Sequence, residues 1–144
     1  MLKPLAVTAF AALTLVLVPA TADAKTFRGK TSQGHRVTLT LGADGVPTRL
    51  TIRWTGPCKK SSVPARSTTR FVPAFDQATP DTLQDADTRR GRFSGGLRVR
   101  DSAELSGQRS GQTWSGTFSQ RRLFSRKGKV FDVCEAKGVT WSVS

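Results

Sequence analysis

Nucleophilic catalysis needs a nucleophile, a base and a third group that orients the base. This chain offers one histidine, His35, no tyrosine, and two cysteines, Cys58 and Cys134. Any Ser–His–Asp arrangement would have to use His35. It follows Gly34 and opens a run of alternating residues, which is the setting of a turn histidine, and no G-x-S-x-G elbow is present. Paired carboxylates, the machinery of glycoside hydrolysis, are the next option. Asp85 with Asp87 and Asp101 with Glu104 are the nearest pairs, and each sits among arginines that it would offset. Asp81-x₃-Asp85-x-Asp87 presents hard oxygen ligands but lacks the ordered D-x-D-x-D-G loop of a calcium hand, and no Cys/His cluster suits zinc. A non-catalytic chain without a cofactor is the expectation.

The broadest chemical signal is basic. The formal net charge is +13, and arginine outnumbers lysine. Arg90 and Arg92 alternate with smaller residues, as do Arg98 and Arg100. If Phe93, Leu97 and Val99 point inward, these four arginines share an outward face. Arg121, Arg122, Arg126, Lys127 and Lys129 form a second cluster. The guanidinium fork suits phosphate and carboxylate, so the expected partner is an anionic polymer, with binding that weakens as salt rises. Anionic cell-wall polymer comes first for an exported chain; acidic lipid and nucleic acid are further polyanions. No aromatics are interleaved with the arginines as a single-strand binding surface would need.

The elements that position these groups are strands. Leu50, Ile52 and Trp54 alternate with Arg49, Thr51, Arg53 and Thr55, the period of a strand with one buried face. Gly56-Pro57 ends that run and delivers Cys58. Cys134 precedes a second alternating run of Val139, Trp141 and Val143. Residues 26–31 and 35–41 form two strands, and Asp44-Gly45 turns the chain into the third, giving an antiparallel meander. Residues 67–75 are β-rich but carry Pro73, which fits an edge. Residues 76–88 hold Asp76, Pro80, Asp81, Asp85 and Asp87 and read as a long acidic loop, with at most one helical turn. Strands follow over residues 89–93, 96–100, 103–108, 112–123, 130–134 and 138–143. The fold class is all-β: an antiparallel meander of about eight to ten short strands forming a small barrel or sandwich.

The start of the chain reads as an export signal. Lys3 gives a positive beginning, residues 5–18 are apolar apart from Thr8 and Thr14, and Ala22-Asp23-Ala24 has the small-x-small pattern of a cleavage site. Residues 1–24 are therefore a signal peptide and residues 25–144 a single secreted domain. The apolar run is shorter than the roughly 20 residues that span a bilayer, so no transmembrane anchor is expected. Removing Lys3 and Asp23 leaves the net charge unchanged. Two cysteines in an exported chain predict one disulfide, Cys58–Cys134, joining the two Trp-bearing strands.

Phe27-x-Gly29-x-Thr31-Ser32-Gln33-Gly34, Trp54-x₃-Cys58, Ser115-Gly116-Thr117-Phe118 and Cys134-x₃-Gly138-x₂-Trp141 together resemble a group of small exported β proteins of high-GC bacteria. The resemblance covers most of residues 25–144. It implies export, the disulfide and the β fold, and it transfers no site residues. Two other functional classes compete with the polyanion reading. An eight-stranded barrel can hold a small ligand, here lined by Trp54, Phe71, Phe75, Trp114, Phe118 and Trp141, unless these fill a solid core. A disulfide-stapled secreted domain with an exposed loop is also how many inhibitors are built. A hydrolase using Asp85, Asp87 or Glu104 stands behind both.

Overall fold

The alternating runs set one apolar side and one polar side on each strand, and in a computed structural model they assemble into one antiparallel sheet. The structure describes residues 23–144; the signal peptide read at residues 1–24 lies, but for its last two residues, outside them. The strands are β1 (Lys25–Thr31), β2 (Arg36–Leu41), β3 (Pro47–Gly56), β4 (Ala65–Phe71), β5 (Gln77–Ala78), β6 (Thr82–Arg92), β7 (Leu97–Ser110), β8 (Thr113–Arg126) and β9 (Lys129–Val143). Their order is β4-β3-β2-β1-β9-β8-β7-β6-β5. The chain runs up and down, and β1 pairs with β9. The sheet is not closed by hydrogen bonds: its two ends, β4 and β5, are consecutive in the chain.

The sheet curls because both halves have one apolar face to bury. Phe71 on β4 meets Phe118 on β8 edge-on, with ring centroids 6.2 Å apart. Thr69 donates to Gln120 at 2.9 Å, and Arg89 donates to the Arg70 carbonyl at 2.6 Å, tying β4 to the far half. One core results. Trp54, Phe71, Trp114, Phe118 and Trp141 are buried in it, and Phe75 packs against it. Each such side chain contributes about 1.5–3 kcal/mol of transfer free energy. These aromatics fill the interior, as the solid core weighed against a ligand-holding barrel requires.

The disulfide forms as expected between Cys58 and Cys134, with Cα atoms 3.9 Å apart. β1 reaches only residues 141–143 of β9, which leaves the flank of β9 near Cys134 open. The segment beyond β3 takes that place: Lys59 donates to the Val133 carbonyl and Glu135 to the Pro57 carbonyl. Gly56 makes this crossing fit, because a Cβ there would stand 2.6 Å from the Glu135 carbonyl. Asp132 anchors the following loop by accepting the N–H groups of Lys60, Ser61 and Val133.

Three expectations need correction. Residues 76–88 are not a loop: they form β5, a turn at Pro80, and most of β6. Leu83 on β6 is fully buried, and Asp85 and Asp87 follow it on the same face, at the open side of the sheet where carboxylates find polar partners. The acids hid a strand because they occupy its inner positions. The breaks expected in β7 and β9 are also absent. Each is one continuous strand, and the interruption near Gly138 is a bulge opposite Ser119. In the Asp44-Gly45 turn Gly45 supplies the positive φ that an Asp-Gly pair favours.

Candidate functional site

Period-two geometry and register place the basic residues. β6 and β7 form a hairpin in which Arg90 stands opposite Arg100 and Arg92 opposite Arg98. Residues of this parity face away from the core, since Leu83 on β6 and Ala103 and Leu105 on β7 have the other parity and are buried. Leu97 in turn pairs with Arg126 on β8, and Arg126 with Lys129 across the β8–β9 turn. Arg126, Lys127 and Lys129 therefore project at the same end of the sheet as Arg92 and Arg98. The two clusters expected from sequence meet there as one cationic end. Among the described residues none of these seven cations is ion-paired.

Arg121 and Arg122 separate, because consecutive strand residues face opposite sides. Arg121 lies on the outer face opposite Glu135 and contacts its carboxylate at 2.9 Å. Lys137 approaches the same carboxylate at 3.2 Å. Lys137, joined by Arg121, holds the Glu135 carboxyl below its usual range against the opposing effect of desolvation. Arg122 turns inward with Gln120 and Phe118. Two bonds of 2.6 and 2.9 Å join it to Asp101, and its guanidinium lies 5.5 Å from the Trp54 ring centre. It belongs to the interior rather than to the anion-facing set.

The carboxylate pairs are likewise dispersed. Asp101 is committed to Arg122, while Glu104 lies on the opposite face of β7. Asp85 and Asp87 share the inner face of β6, and Asp87 is held by Arg89 at 2.6 Å. Burial raises the Asp85 carboxyl above its usual range; the Asp76 and Asp87 charges push the same way, against backbone hydrogen bonds. His35 meets the Thr55 hydroxyl at 2.8 Å. Its neighbour Gln33 pairs with the Thr55 backbone through both amide atoms, and Ser32 accepts the Thr140 N–H. The Thr31-Ser32-Gln33-Gly34 motif thus clamps the β1–β2 turn onto β3 and β9.

One feature was not singled out from sequence. At the cationic end the inner face extends past the core and forms an open recess of about 440 Å³. Phe93, Leu97, Val99 and Phe124 make its apolar walls, Asp101 and Arg122 its floor, and the Arg89–Gly91 stretch of β6 its rim. The inward direction of Phe93, Leu97 and Val99 is as expected, but Phe93 is 58% exposed, because the opposite half of the sheet does not reach this far. Gly91 lets the Phe93 ring fold back: a Cβ there would lie 3.0 Å from the ring edge.

The disulfide, and the fact that no helix among the described residues is long and apolar enough to cross a membrane, are compatible with an extracellular protein. Compared with known proteins, the chain matches no family model, no curated protein and no solved structure.

Proposed function

We propose that this is a secreted, non-catalytic β domain that associates with an anionic polymer, first among them an anionic cell-wall polymer, through its cationic end. The carrying observation is two pairs of directly opposed arginines, Arg90 with Arg100 and Arg92 with Arg98, none of them ion-paired among the described residues. Like charges directly opposite in a ladder destabilise it by roughly 0.2–1 kcal/mol a pair, so folding does not account for this arrangement. A polyanion laid along the face relieves the repulsion and gains charge-assisted hydrogen bonds. Arg126, Lys127 and Lys129 extend the surface around the end of the sheet. Arg121 is largely neutralised by Glu135 and contributes less, and Arg122 acts in the fold. The same chemistry would hold nucleic acid through its phosphates, without base readout.

The test is double charge reversal, Arg98→Glu with Arg100→Glu, assayed against purified cell wall at low salt. Loss of binding with an unchanged melting profile supports the assignment. Unchanged binding contradicts it.

A further inference from the structure

We propose that the open edge of β6 takes up an extended segment of a partner protein as one more strand, a segment in which acidic and apolar residues alternate. The backbone shows which way each residue of β6 bonds. Phe93 donates its N–H to the Leu97 carbonyl, and the Asp81 carbonyl accepts from Arg109, so odd-numbered residues bond toward β7. The Thr82 carbonyl accepts from Thr79, and the Ala86 N–H donates to Asp76 at 3.0 Å, so even-numbered residues bond away from β7. β5 covers only Leu83 and Gln84 on that side. Beyond Ala86, the N–H and C=O groups of Thr88, Arg90 and Arg92 point to a side where no strand among the described residues is paired. All three residues are exposed. An uncovered row of donors and acceptors is a template for another strand.

Side chains choose the occupant. A strand added antiparallel, in the column that β5 begins, sets one residue opposite each of Phe93, Arg92, Gly91 and Arg90 in turn. Those opposite Arg90 and Arg92 share the outer face with them and with Arg98 and Arg100, none of which has an ion-pair partner among the described residues. Carboxylates there supply the opposite charge. Residues opposite Gly91 and Phe93 fall on the inner face, at the recess of about 440 Å³ walled by Phe93, Leu97, Val99 and Phe124. Apolar side chains gain there by covering exposed apolar surface. A second copy of this chain fits poorly, because antiparallel pairing of two β6 edges opposes arginine to arginine in any register that overlaps Arg90 and Arg92. The inference shares these two arginines with the polymer reading and otherwise stands on the backbone edge and the recess.

The experiment measures binding of a fluorescein-labelled hexapeptide, Val-Glu-Val-Glu-Val-Thr amide, to residues 25–144 by fluorescence anisotropy. It should bind with one site per chain, and its counterpart with lysine at both glutamate positions should not bind. In the added strand each glutamate turns its N–H toward β6, and each valine turns its N–H away. N-methylation of both glutamates should therefore weaken binding by at least about tenfold, whereas N-methylation of the second and third valines should leave it within about threefold. Thr88→Pro removes an edge N–H that has no partner among the described residues, so it should keep the native melting temperature and weaken the hexapeptide by about tenfold. It keeps every cation, so its cell-wall binding should equal that of the parent. Absence of hexapeptide binding, or equal loss from the two methylation patterns, overturns the proposal and leaves the polymer reading standing. Absence of cell-wall binding beside the expected hexapeptide behaviour supports the proposal and counts against the polymer reading alone.

Discussion

Arg122 and Asp101 face each other across the β7–β8 ladder and are joined by two hydrogen bonds on the inner side of the sheet. That pairing divides the basic residues into two kinds. Arg122 closes the interior beneath Trp54, whereas Arg90, Arg92, Arg98 and Arg100, with no ion-pair partner among the described residues, carry their charge outward.

Removing the inner kind should cost stability and spare binding. The side chains of Arg122 and Asp101 are 21% and 25% exposed, so neither is well solvated once its partner is gone. Arg122→Met should lower unfolding free energy in urea by about 2 kcal/mol. Asp101→Asn combined with it should cost less than the sum of the two single changes. Polyanion affinity should stay near that of the parent.

Reversing the outer kind should do the opposite. Arg98→Glu with Arg100→Glu turns two repulsive cross-strand pairs into attractive ones. The urea midpoint should hold or rise, with a gain of at most about 1 kcal/mol, while polymer binding is lost.

The staple is testable by itself. Cys58 and Cys134 are 76 residues apart, and the chain-entropy model gives about 4.5 kcal/mol for a loop of that size. Reduction, or Cys58→Ser with Cys134→Ser, should lower the unfolding free energy by that order. Gly56→Ala should also destabilise with the disulfide intact, by about 1–3 kcal/mol, because the clashing atoms at Glu135 are backbone and cannot rotate away.

Two carboxylates predict opposite responses to acid. Backbone N–H groups of Lys60, Val133, Ser61 and Lys59 hold the Asp132 carboxyl below its ordinary 3.8, against desolvation. Its contribution is present above pH 3.8 and is lost as pH falls through the lower folded value. Asp85 is raised above 3.8, chiefly by burial, so the folded state binds its proton more readily and stability declines as pH rises from 3.8 through the folded value. Urea midpoints at neutral pH should therefore fall for Asp132→Asn and hold or rise for Asp85→Asn. Both differences should shrink as pH falls below 3.8.

Much of this was legible beforehand. The alternation around Leu50–Ile52–Trp54, the Gly-rich turns and the two cysteines predict the strands, the meander and the staple, because period two and turn chemistry are local properties. The strand hidden in residues 76–88 was not, since Asp85 and Asp87 occupy inner positions that only an unclosed sheet leaves wet. The meeting of the two basic clusters depends on the register of β7 with β8, which no single strand encodes. Arg122 is a different case. It has the parity of Trp114, Gly116 and Phe118 in the same run, so the signal for its inward direction was present and was masked by its neighbour Arg121. The recess at Phe93 also escaped, because inward direction does not reveal how far the opposite half of the sheet extends.

The most direct test is a salt titration of residues 25–144 against purified cell wall, duplex DNA and acidic vesicles. The account predicts binding at low salt that falls as a power of salt concentration, with a log–log slope of about −3 if the four opposed arginines each displace a counterion. It also predicts that any residual binding of the Arg98→Glu, Arg100→Glu variant has lost the salt dependence contributed by these four positions, whose charges then cancel. No binding at low salt, or binding indifferent to salt, would contradict it and would leave the cationic end without a polymer partner.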